Sequence, residues 1–157
     1  MNPGNVYSVV FEGVAVTAVQ DLFEINAGST KPLRVLGMML SQYTEEGDAQ
    51  DELLRLRVRR GLATSGSGGS APTPAPLNPS SAASSFSAEV NNTTQASTGS
   101  PVTLHVDAFN VRAGYVLILP PEMQWIIPAS GRLTVELNEA PADSVSMNGV
   151  IYVEEIG

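Results

Sequence analysis

The chain has 157 residues, 43% of them hydrophobic, with a formal charge of -8 and a pI near 4.5. That length fits one domain, residues 1–157, with enough apolar side chains for one core. The acidic balance excludes a groove that tracks phosphates, which needs clustered Lys and Arg in excess, and the absence of cysteine excludes disulfides and thiolate metal sites. Neither nucleic acid nor a membrane is an expected partner. The opening MNPGNVYSVVFEG lacks the basic and apolar regions of a signal peptide, and no apolar run approaches the ~20 residues that span a bilayer, so the sequence reads as a soluble protein made in a cytoplasm.

Residues 6–19 alternate apolar and polar side chains around Gly13, which predicts a long strand bulged or bent at that glycine. Asp21 to Ala27 is a shorter strand, and 31–43 is a third whose VLGMML core is apolar on both alternating faces. EEGDAQDE, residues 45–52, is a solvated acidic turn; its spacing does not fit a calcium loop. In Leu54 to Arg60, leucine and valine alternate with arginine, the clearest half-buried strand in the chain.

Composition then changes abruptly. Residues 65–85 are almost wholly Ser, Gly, Ala and Pro and carry no charge, a mixture with too little apolar surface to offset its ordering entropy. The expectation is a flexible, projecting loop over 61–85, extended where Pro72, Pro74 and Pro76 alternate with other residues. Phe86, Ala88 and Val90 give a weak strand, and 91–100 is a second polar loop.

Val102 to Ala108 alternates again, with Leu104 and Val106 expected inside and Thr103, His105 and Asp107 outside. Tyr115 to Leu119 and Trp125 to Ile127 are short apolar runs closed by Pro120, Pro121 and Pro128, which cannot donate to a sheet ladder. Leu133, Val135 and Leu137 mark a strand with one buried face, and 144–156 is a strand or a hairpin interrupted at Asn148-Gly149. With no convincing helix, the fold class is all-β: an antiparallel, jelly-roll-like β-sandwich with a long disordered-type loop.

No catalytic, cofactor or metal site is expected. His105 is the single histidine, too few for the metal set of a cupin, and the carboxylates lie mostly in turns, which disfavours a glycosidase. Four of the eight basic residues fall within Arg55 to Arg60, so the row Arg55, Arg57 and Arg59 is a candidate docking surface for an acidic partner, set against a plain solvated face. The strands apolar on both faces need outside cover. Leu36, Met38, Leu40, Leu117, Leu119 and Trp125 are therefore the candidate oligomer interface.

The ensemble of a short acidic chain without cysteine, DLFEINAGSTKPLRVLGMML, the small-residue excursion, LILPPEMQWIIPASGRLTVEL and a final IYVEEIG resembles the decoration or cement proteins of tailed bacteriophages. The resemblance covers most of the chain and carries no diagnostic motif. It implies a jelly-roll or related sandwich, homotrimers on the virion surface, the major capsid protein as partner, and no catalysis. A receptor- or glycan-binding fibre knob is the alternative, and a cupin- or glycosidase-like enzyme the disfavoured third.

Overall fold

The computed structural model describes residues 5–44 and 52–157, so most of the acidic EEGDAQDE turn, and with it any test of calcium binding there, lies outside the described residues. Eleven strands follow in chain order: β1 (Asn5–Val16), β2 (Gln20–Asn26), β3 (Leu33–Gln42), β4 (Leu53–Arg60), β5 (Ala75–Pro76), β6 (Ser87–Asn92), β7 (Val102–Asn110), β8 (Tyr115–Ile118), β9 (Trp125–Ile127), β10 (Arg132–Leu137) and β11 (Val145–Glu155). Among the described residues the one helical element is a 3-10 turn at Pro121–Met123. They form two antiparallel sheets packed face to face. Sheet A runs β5-β1-β11-β3-β8, with β9 also on β3; sheet B runs β6-β2-β10-β4-β7. The all-β sandwich read from the alternation is the fold.

Cross-strand rows show how the core is built. Tyr7, Val153, Val35 and Trp125 lie side by side across sheet A, as do Val9, Ile151, Met38 and Leu117. In sheet B, Val90, Phe23, Val135, Val58 and His105 form the matching inner row. Apart from Leu117 and His105, these side chains are almost fully buried. Removing such apolar surface from water gains about 25 cal/mol per Å² and holds the sheets together. Of the two readings at Asn148-Gly149, the strand holds. Gly149 lies within β11 opposite Phe11, where an added Cβ would stand 2.4 Å from that ring and 2.9 Å from Phe23. The glycine there makes room for two packed rings; no turn forms.

Four bulges reset the alternation, the first of them in β1 between Phe11 and Val14, at the glycine where a bulge is expected. Tyr152 and Val153 pair with Gly37 and Val35, which leaves Leu36 as an extra residue in β3. Leu22 is extra between Phe23 and Asp21, and Leu104 between His105 and Thr103. Each extra residue exchanges inside for outside on the rest of its strand. The expected phase of β7 is therefore inverted: His105 sits opposite buried Val58, whereas Val106 sits opposite Arg57 and is 66% exposed.

The small-residue segment does not project. Over 61–70 it runs antiparallel to 90–100, joined by reciprocal backbone hydrogen bonds at Thr64 with Ser97, Ser67 with Thr94 and Ser70 with Val90. The two straps lie on the outer side of sheet B. The chain then crosses to the edge of sheet A, where Ala75 and Pro76 pair with Ser8 and Tyr7. On the way back, the Tyr7 hydroxyl donates to the Ala82 carbonyl at 3.0 Å, and the Ser85 N–H donates to Glu155, which also pairs with Lys31 at 3.3 Å. Burial pushes the Glu155 carboxyl up, but the Ser85 donors and Lys31 outweigh it and hold the group below the usual range. Small side chains are what such a lining needs: a Cβ on Gly69 would fall 2.0 Å from the Val90 carbonyl oxygen, and one on Gly66 2.5 Å from that of Thr94. Hydrogen bonding of the backbone to the sheet and to the second strap supplies the order that apolar burial does not.

Candidate functional site

The outer positions of β2 and β10, in the middle of sheet B, are charged and covered. Glu136 on β10 is fully buried and accepts from Arg57 Nε at 2.8 Å, Arg59 Nε at 2.7 Å and the Thr134 hydroxyl at 2.9 Å. Glu24 on β2 pairs with Arg132 at 2.8 Å and accepts from the Ser65 hydroxyl at 2.6 Å and the Gly66 N–H at 2.9 Å, both on the first strap. Asp21 accepts the Ala96 N–H at 2.7 Å and the Gln95 amide at 3.3 Å from the second strap. Burial pushes the Asp21 carboxyl up to about 7, reinforced by Glu136 and Glu24 and opposed by those N–H donors. The arginine row is thus only partly available. Arg57 and Arg59 are held by Glu136, and Arg55, with a 64% exposed side chain, pairs with Glu139 at 2.9 Å.

Sheet A differs. Its outer rows read Val10, Val150, Met39 and Val116, then Ser8, Tyr152, Gly37 and Ile118, then Val6, Glu154, Arg34 and Ile126. Val116 is 66% and Ile118 73% exposed. Val10, Met39, Ile126 and, beside them, Leu77 are exposed as well. A groove of about 230 Å³ runs between Val6, Leu36, Met39, Leu77, Ile118 and Tyr152. Arg34 and Glu154 lie 3.7 Å apart, so the charges of these rows balance.

The interface expected from the sequence is divided by the bulge at Leu36. Met38, Leu40, Leu119 and Trp125 are buried in the sandwich core and cannot meet a partner, whereas Leu36 and Leu117 are half-buried and line the groove. Alternation counted straight through β3 misses Met39, and in β8 it selects Leu117 over Val116 and Ile118. Gly37 is the one local sign of the phase change: a Cβ there would stand 2.6 Å from the Leu117 carbonyl oxygen.

His105 is not an outward polar side chain. Its Nε2 lies 2.8 Å from the Tyr115 hydroxyl, which donates to Asp107 at 3.1 Å, and its ring packs 5.7 Å from that of Trp125. Burial, then the Asp107 carboxylate, pushes the Tyr115 hydroxyl up to about 12. This cluster ties β7 of one sheet to β8 and β9 of the other. Among the described residues no group of three or more His, Asp or Glu side chains is placed to hold a metal ion, and no helix is long and apolar enough to cross a membrane. Compared with known proteins, the chain matches no family model, no curated protein and no solved structure.

Proposed function

We propose that the protein is a non-catalytic structural protein that assembles with copies of itself through the outer face of sheet A. The observation that carries this reading is the contrast of cover: the chain roofs the outer side of β2 and β10 with its own straps and leaves an apolar face on sheet A bare. Burying each large side chain there gains roughly 1.5 to 3 kcal/mol. A second copy is the fitting occupant, because a chain of net charge -8 repels itself least where charges balance, and these outer rows hold one paired Arg34 and Glu154.

We infer further that the sandwich is a jelly roll. With β5, β6 and β9 set aside, eight strands remain in two sheets of four, β1-β11-β3-β8 and β2-β10-β4-β7. That order, first strand beside last and successive strands alternating between sheets except at β4 and β7, is the arrangement of two interleaved Greek keys. Jelly rolls serve in viral capsids, lectins and cupins. The single histidine, engaged by Tyr115 and Trp125, disfavours the cupin reading. Resemblance to phage decoration proteins favours a virion-surface component, a homotrimer seated on the major capsid protein, with exposed Arg55 at its docking edge.

Sedimentation equilibrium at micromolar concentration tests the assembly, with Ile118→Glu as the disrupting variant. The expected result is a multiple of the 16.5 kDa chain for the native sequence and a folded monomer for the variant. A native monomer overturns the proposal. Electron microscopy of particles with and without the protein tests its place on a shell.

A further inference from the structure

We propose that the cleft at the end of the sandwich where β1 passes into β2 binds a neutral sugar. The cleft holds about 230 Å³ and is bordered by Gln20, Ser70, Asn91 and Thr93, with Val14 and Ala15 on its apolar side. No lining residue carries a charge, although the chain's net charge is -8. Amide and hydroxyl groups that both donate and accept are what a ring of sugar hydroxyls requires, each hydroxyl being itself donor and acceptor. Val14 and Ala15 offer small apolar contacts for the C–H face of the ring.

A second observation points the same way. Asn91 is 7% exposed; its Oδ1 accepts from Gln20 Nε2 at 2.8 Å, and its Nδ2 is buried with no partner. Buried donors without an acceptor are rare because they lose their water without compensation, and one beside a ligand cleft calls for an acceptor from the ligand. A sugar oxygen supplies it. Phosphate is disfavoured by the absence of Lys or Arg from the lining, and a nucleobase by the absence of an aromatic side chain to stack on. The residues that line the cleft are separate from those of the apolar groove, so self-assembly and sugar binding stand or fall independently. In an assembly the cleft is repeated once per copy, which raises avidity for a repeating glycan without new contacts.

Saturation-transfer NMR of the full chain tests this with methyl mannoside, methyl galactoside, methyl glucoside and N-acetylglucosamine at millimolar concentration. Transfer to at least one of them is expected, with movement of the Gln20 and Asn91 side-chain amide resonances. Thr93→Val combined with Ser70→Ala should weaken binding about tenfold by removing both hydroxyls. Ala15→Leu, at an exposed position, should fill the cleft and abolish transfer while the melting temperature stays unchanged. No transfer to any of the sugars, or equal transfer to the native and Ala15→Leu proteins, overturns the proposal; so does movement of the Asn91 amide with inorganic phosphate instead of with sugar.

Discussion

Glu24, Thr134 and Glu136, on the outer side of β2 and β10, are wholly buried, whereas Met39, Val116 and Ile118, on the outer side of β3 and β8, remain exposed. The chain thus roofs its charged face and bares its apolar one, the reverse of what hydropathy alone recommends. The difference lies in what each face demands. Buried carboxylates accept only N–H and O–H donors, and a strap of glycine and serine supplies these from its backbone and hydroxyls while lying close. An apolar face needs apolar area, which a Ser/Gly strap lacks.

The largest break in this comparison comes from Glu136→Ala, which leaves Arg57 and Arg59 without their shared carboxylate. Denaturant unfolding should show a loss of about 3 kcal/mol. A loss below about 0.5 kcal/mol would mean that the charged face contributes no more than an exposed ion pair.

Next comes Gly69→Ala. The added methyl would fall 2.0 Å from the Val90 carbonyl oxygen, so the Ser70 bridge must shift or open. Unfolding free energy should drop by about 2 kcal/mol, while the same change at a freely moving loop stays within about 0.5 kcal/mol. Retained stability would return the strap to the projecting loop that its composition first indicates.

The smallest effect is one of pH. The folded state holds the Asp21 proton up to about 7 against an ordinary value of 3.8, because burial and the flanking Glu24 and Glu136 outweigh the Ala96 and Gln95 donors. Of the cations on this face, Arg57, Arg59 and Arg132 pair with those two glutamates and Arg55 with Glu139. With the folded value raised, this group's stabilising contribution is full below its unfolded value and is lost as pH rises through about 7. Relative to Asp21→Asn, the native protein should lose about 1 kcal/mol between pH 6 and pH 8 in thermal or denaturant melts. Parallel profiles for the two proteins would show that Asp21 is ionised throughout this range in the folded state.

The sandwich is legible because Leu54 to Arg59 in β4 and Arg132 to Leu137 in β10 alternate apolar and polar residues without a break. What alternation could not show was its own interruption. Leu22, Leu36 and Leu104 are bulge residues of ordinary strand composition, and each displaces the inside and outside assignment of its neighbours. Hence Met38 and Leu40 moved from the expected interface into the core, and Met39 took the outer place. The order of the straps escapes composition for another reason. Their order comes from backbone hydrogen bonds to one another and to Glu24 and Asp21, which a count of apolar side chains does not register. Composition did mark the segment, through glycines at 66 and 69 that a close neighbour requires.

One feature of the topology governs how the molecule can be made. β10 is the middle strand of sheet B and β11 the strand joining β1 to β3 in sheet A, yet both come late in the sequence. As the chain emerges from the ribosome, β2 can meet β6, β4 can meet β7 and β3 can meet β8, but these are separate pairs with apolar flanks. Neither sheet is continuous until residues 132–155 arrive. Folding must therefore wait for nearly the whole chain, with many pairings between distant segments, which makes it slow and leaves nascent strands open to association with one another.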